Sequence, residues 1–157
     1  MLADGSGAPA GLPDLLDEVV SAAAAMLRAR SQDRDAAEQA TVARMVGVGA
    51  VRYCELSADR TRNYVLNWDH MLTSGGNTAL RLQHAHARIR SVVGRSGCGQ
   101  PAGPCDVTLA DPAERTLAVA LLGFAAVLDE VAETLQFHRL CRYLHELTTA
   151  VTFFCRT

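Results

Sequence analysis

VGVGAVRYCELSADRTRNYVLNWDHMLTSGGNTALRLQHAHARIRSVVGR, residues 46–95, holds two sequence grammars side by side. Residues 46–72 read as short, half-buried extended segments around a charged turn. Residues 48–56 alternate about Val51, Tyr53 and Glu55, residues 57–60 form the turn, and residues 63–68 make a second extended piece. Asp69 is placed to cap a short helix over 69–72, and Gly75, Gly76 and Asn77 then break the chain. Thr78 is placed to cap a helix whose apolar edge is Leu82, Ala85, Ile89 and Val92 or Val93. On that helix His84 and Arg88 lie one turn apart, as do His86 and Arg90, both pairs away from the apolar edge.

Upstream, residues 1–12 are a Gly/Ala/Pro-rich lead, and Pro13 and Asp14 open a helix with Leu15, Leu16, Val19, Val20, Ala23 and Leu27 at helical spacing. Residues 31–35 are a polar break, and a second helix over 36–46 is expected to stop at Gly47 and Gly49. The run from Gly47 to Ala50 is too short for a dinucleotide fingerprint and suits close backbone packing instead. Downstream, residues 94–106 form a Gly/Pro-rich linker. Asp111, Pro112 and Glu114 then spell a capping box, opening a helix with apolar positions 117, 121, 124, 128 and 131 that runs to about Leu135. A last helix carries Leu140, Tyr143, Leu144, Leu147, Val151 and Phe154 as its apolar stripe.

The 157 residues suffice for one domain, or one plus a small appendage. The net charge of −2 conceals a sharp asymmetry. Residues 41–95 hold eight Arg against three acids (+5), between flanks of −4 (1–40) and −3 (96–157). A basic island of this kind suits a polyanion, and a solvated arginine-rich face is its bland counterpart. All fifteen basic side chains are Arg, a bias that a GC-rich genome accounts for as readily as phosphate binding does.

The five cysteines (54, 98, 105, 141, 155) accompany no secretion signal, so reduced thiols in the cytoplasm are expected. The longest apolar run, 117–128, is far short of the ~20 residues of a membrane span. His84 and His86 diverge on a helix, and Cys98 and Cys105 lack a second ligand pair, so no metal and no cofactor is expected. Cys141 reads as a small core residue. No nucleophile elbow or phosphate loop is present.

Four phrases, LPDLLDEVV (12–20), VGVGAVRYCELSADRTRNYVLNWDHML (46–72), GNTALRLQHAHARIRSV (76–92) and PAERTLAVALLGFAAVLDEVAETLQFHRLCRYLHELTTAVTFFC (112–155), together resemble bacterial arginyl-tRNA synthetases. They follow the order of the region that joins the catalytic domain to the helical DALR anticodon-binding domain. The resemblance implies a mainly α fold: a DALR-like helical bundle over 73–157, preceded by a small α/β stem-like segment over 1–72. In the resembled proteins an ATP- and arginine-activating domain precedes this region and further helices of the bundle follow it, so the chain is expected to lack both. The signature motifs of class I activation do not occur in these residues, and without lysine the Lys-Met-Ser-Lys-type loop could not. A shortened bundle is expected to leave the stripe of Leu147, Val151 and Phe154 partly uncovered. Arg81, His84, His145 and Cys155 stand where the family usually has Tyr, and Phe137 where it has Pro. Loss of stacking aromatics weakens base reading by ~1–3 kcal/mol per base.

The candidate tRNA-binding residues are Asn77, Arg81, Gln83, His84, His86, Arg88, Arg90 and Tyr143. The expected function is a non-catalytic tRNA-binding module, and arginine tRNA is the expected partner. The alternatives are a subunit of a split arginine–tRNA ligase with a separate catalytic chain, or a degenerate remnant or protein-interaction module that dimerises through its apolar stripe.

Overall fold

In the computed structural model, residues 11–30, 35–62, 67–97, 103 and 106–156 are described. They form seven helices and, among the described residues, no strand. The chain divides into two units, Met1–Leu80 and Arg81–Thr157.

The first unit is built on a helix pair, α1 (Leu12–Arg30) and α2 (Ala36–Ser57). Asp35 starts α2 by accepting from the Ala37 and Glu38 amides at 3.2 and 3.4 Å. Leu15, Val19 and Ala23 on α1 are buried at helical spacing, as expected. They meet Ala43, Val46, Ala50 and Val51 of α2 in two clusters, one closed by Met71 and the other by Leu80.

The strand expected over 48–56 is overturned: α2 continues to Ser57. Its buried residues Ala43, Val46, Gly47, Ala50, Val51 and Tyr53 recur at three and four, the helical period. Packing on α1 outweighs the β-propensity of Val and Tyr. Nor does Gly47 stop the helix. A Cβ there would lie 2.9 Å from Val20 Cα and 3.0 Å from Val20 N, so glycine at 47 is the point where the two backbones touch. The close packing read into this run is present, inside a helix.

The short helix α3 (Trp68–Met71) is capped by Asn67, not Asp69: the His70 amide donates to Asn67 Oδ1 at 3.0 Å. Of the extended piece expected over 63–68, residues 63–66 lie outside the described residues, and Trp68 is helical. Gly76 takes φ +74°, and Thr78, just before α4 (Ala79–Ser96), donates to the Thr73 carbonyl at 2.8 Å.

In the second unit, α5 (Pro112–Leu122) begins with the expected capping box. Asp111 accepts from the Ala113 amide at 2.7 Å, while Glu114 accepts from the Asp111 amide at 2.9 Å. Asp111→Ala is expected to lower stability by about 1 kcal/mol, read in urea or thermal melts. The single helix expected to Leu135 is instead two: α5 ends at Gly123 and α6 (Phe124–Thr134) follows. The Gly123 amide bonds back to Ala120 and Leu121, and the bend lets both α5 and α6 lie against α7 (Phe137–Phe154). Leu135 ends α6 at φ +54°, a left-handed cap that glycine usually fills, with its amide donating to Val131 at 2.8 Å.

The buried residues of α7 are Cys141, Tyr143, Thr148, Ala150 and Val151, which lie on more than one side of the helix. Cys141 is buried, in line with its reading as a core residue. Of the stripe expected to be partly uncovered, Val151 is buried, Leu147 is half-buried and Phe154 is exposed. Greater exposure falls on α5, where Leu122 is 82% and Val119 70% exposed. No helix of the described residues is long and apolar enough to cross a membrane.

Candidate nucleic-acid interface

Between residues 81 and 96, α4 carries Arg81, Arg88, Arg90 and Arg95 and no acid. At 100° per residue, Arg81, His84, Arg88 and Arg95 line one side of the helix and His86 and Arg90 another, with Leu82, Ala85, Ile89, Val92 and Val93 between them. That apolar edge is less buried than its pattern suggests: Ile89 is 40% and Val93 56% exposed. Helical amphipathicity here marks a face without reporting what covers it.

The candidate residues separate into two groups. His84, His86 and Arg90 are exposed and make no hydrogen bond or ion pair with the described residues. Arg95 behaves in the same way and lies on the Arg88 side of the helix, its seven-residue spacing from Arg88 being the signal in the sequence. Unpaired guanidinium groups on one helix are a ready site for phosphates. Arg88 is exposed but engaged, donating to the Cys155 carbonyl at 2.7 Å. That is a favourable place for a cation, at the C-terminal end of α7.

The others are held in the protein. Arg81 is half-buried, donating through Nε to Thr148 Oγ1 at 3.1 Å and through its second amino nitrogen to Thr149 Oγ1 at 2.9 Å. Gln83 is half-buried. Tyr143 is buried; its hydroxyl donates to the Ala120 carbonyl at 2.8 Å and its ring stacks on Phe124 at 5.9 Å between centroids. Tyr143→Phe is expected to lower stability by about 1 kcal/mol, because the hydroxyl's hydrogen bond to the Ala120 carbonyl is lost. Thermal melts check this.

Asn77 belongs to the first unit, where the Tyr53 hydroxyl donates to Asn77 Oδ1 at 2.5 Å. Both residues line a cleft of about 140 Å³ with Cys54, His70 and Thr78. Burial, and then the charge of Glu55, push the Cys54 thiol above its ordinary pKa, which keeps it protonated and poorly nucleophilic. Cys98 and Cys105 lie outside the described residues, and the described residues hold no cluster of His, Cys, Asp and Glu fit for a metal.

A helical unit with four arginines and no acid along α4 has the chemistry of a nucleic-acid-binding domain, and comparison with known proteins names the kind. Residues 82–156 match the family model of the DALR anticodon-binding domain, and residues 2–68 match that of the class I (R) tRNA synthetase catalytic domain. The arginine–tRNA ligase of Thermobifida fusca is 46% identical over 151 residues, covering 95% of this chain and 26% of the relative. That of Actinobacillus succinogenes is 43% identical, covering 90% and 25%. The solved arginyl-tRNA synthetase of Thermus thermophilus superposes with a TM-score of 0.82 at 30% identity, over 96% of this chain and 25% of that one. The Plasmodium falciparum enzyme gives 0.80 at 25% identity. This chain belongs to the arginyl-tRNA synthetase family and corresponds to its C-terminal region. It spans about a quarter of the length of the curated relatives it matches.

Proposed function

We propose that this chain binds arginine tRNA through its DALR unit and does not itself activate arginine. The observation that carries the reading is the coincidence of two things. Residues 82–156 match an anticodon-binding family model, and the same residues hold the acid-free run of α4, where Arg90 and Arg95 make no hydrogen bond or ion pair with the described residues. In this reading His84, His86, Arg88, Arg90 and Arg95 meet the phosphates of the RNA, while Asn77, Gln83 and Tyr143 hold the surrounding helices and turns. Arginine activation needs ATP chemistry whose signature motifs these 157 residues do not contain. In a gel-shift titration the native chain shifts arginine tRNA at micromolar protein and low salt; absence of a shift there overturns the proposal.

A second reading is that the chain acts as one part of a split arginine–tRNA ligase. The match of residues 2–68 to a catalytic-domain model favours it. Recovery of a catalytic chain on co-purification, and arginyl-tRNA formation on mixing the two, would establish it. Without either, that reading fails.

A further inference from the structure

We infer that Arg81 is a positioning residue: its guanidinium fork clamps α4 to α7 and holds the arginine face in place, and it does not serve as a phosphate contact. The fork is double. Nε and one amino nitrogen reach two adjacent hydroxyls, Thr148 Oγ1 at 3.1 Å and Thr149 Oγ1 at 2.9 Å. Both hydroxyls in turn donate to one acceptor, the His145 carbonyl, at 2.8 and 3.1 Å. A hydroxyl that donates to a carbonyl is a better acceptor for the guanidinium, so the bonds reinforce one another. The clamp therefore joins the Arg81 guanidinium to the His145 backbone carbonyl through two threonine hydroxyls.

Its geometry explains why Arg81 departs from its neighbours on the same helix. Thr148 is buried, Arg81 is half-buried, and the guanidinium is spent on the protein, whereas Arg90 and Arg95 make no such contacts with the described residues. Seven residues on, Arg88 repeats the device at the end of α7 by bonding the Cys155 carbonyl. The two arginines thus fasten α4 at two heights along α7, with His84 between them.

Lysine and arginine separate positioning from phosphate contact. A lysine keeps the charge but not the planar fork, so it cannot bond both threonines in the same way. The RNA arm of the test rests on the tRNA-binding reading; amide exchange does not. In the free protein, amides of α4 from residue 85 onward are expected to exchange about tenfold faster in Arg81→Lys than in the native chain. The double variant Thr148→Val with Thr149→Val, which removes the acceptors and leaves every charge, is expected to do the same. Far-UV circular dichroism checks that each variant remains helical.

With arginine tRNA, Arg81→Lys is expected to bind about tenfold more weakly with an unchanged salt dependence, while Arg90→Ala lowers the slope of log K against log salt by about one. The inference is overturned if Arg81→Lys matches the native chain in exchange, or if it binds as the native chain does while Arg81→Met loses a unit of slope. If the native chain binds no tRNA, the proposed function fails, and the exchange of Arg81→Lys alone decides the clamp.

Discussion

Gly47→Ala is expected to destabilise the first unit by about 1–3 kcal/mol, although alanine is the better helix former. Intrinsic propensity alone predicts the opposite, a gain of about 1 kcal/mol at a helix-interior glycine. Packing decides the sign. The added Cβ would sit 2.9 Å from Val20 Cα, 3.0 Å from Val20 N and 3.1 Å from the Val19 carbonyl carbon, all backbone atoms. No side-chain rotation relieves such contacts, so α1 must move off α2. That displacement loosens Leu15 and Val19, the largest fully buried side chains of the described residues, and both clusters that they and Ala23 help to close. Gly94→Ala is the matched control: it lies on exposed α4, and a Cβ there meets nothing within 4 Å. That variant should be neutral or stabilising by up to about 1 kcal/mol. Urea melts of the two variants should move in opposite directions, and a Gly47→Ala protein as stable as the native chain would remove the close α1–α2 contact from this account.

The second large effect concerns RNA. Arg88→Ala combined with Arg90→Ala is expected to weaken arginine tRNA binding about a hundredfold at low salt and to flatten the salt dependence by about 1.4 units of slope, ~0.7 for each phosphate contact to single-stranded RNA. Arg90 separates the causes, because it has no partner among the described residues and its loss changes only the field and the phosphate contact. Arg88 also bonds the Cys155 carbonyl, so part of its effect comes from releasing the end of α7. Equal weakening across tRNA species is the signature of backbone contacts; selective weakening for arginine tRNA would point to base reading on the same helix.

How much of this was legible in the sequence follows from how far apart the cooperating residues lie. The capping box at Asp111, Pro112 and Glu114 could be read directly, because all of its partners sit within one helical turn. The α1 stripe and the small core residue Cys141 were equally local. Residues 48–56 misled because Val51 and Tyr53 favour strands and alternate with polar residues. The deciding partner, Val20, is a different helix, and only its approach to Gly47 turns a pair of apparent stop signals into a helical contact. Gly123 erred in the opposite sense, since a continuous apolar pattern conceals a bend that serves packing on α7.

For the candidate interface, the sequence showed which residues carry charge and not which are already engaged. Arg81 and Arg90 look alike in a string of letters. One is bound to threonines 67 and 68 positions away and the other is free among the described residues. The pairing of Tyr53 with Asn77 is hidden for the same reason. The family phrases carried the identity of the chain reliably because they record all of those distant constraints together.

The most direct test of the central claim is a titration of arginine tRNA with the native chain across roughly 50–200 mM salt. The account predicts saturable binding whose log K falls linearly with log salt, with a slope of about −2 for three phosphate contacts to single-stranded RNA. No binding at micromolar protein, or an affinity indifferent to salt, would contradict it.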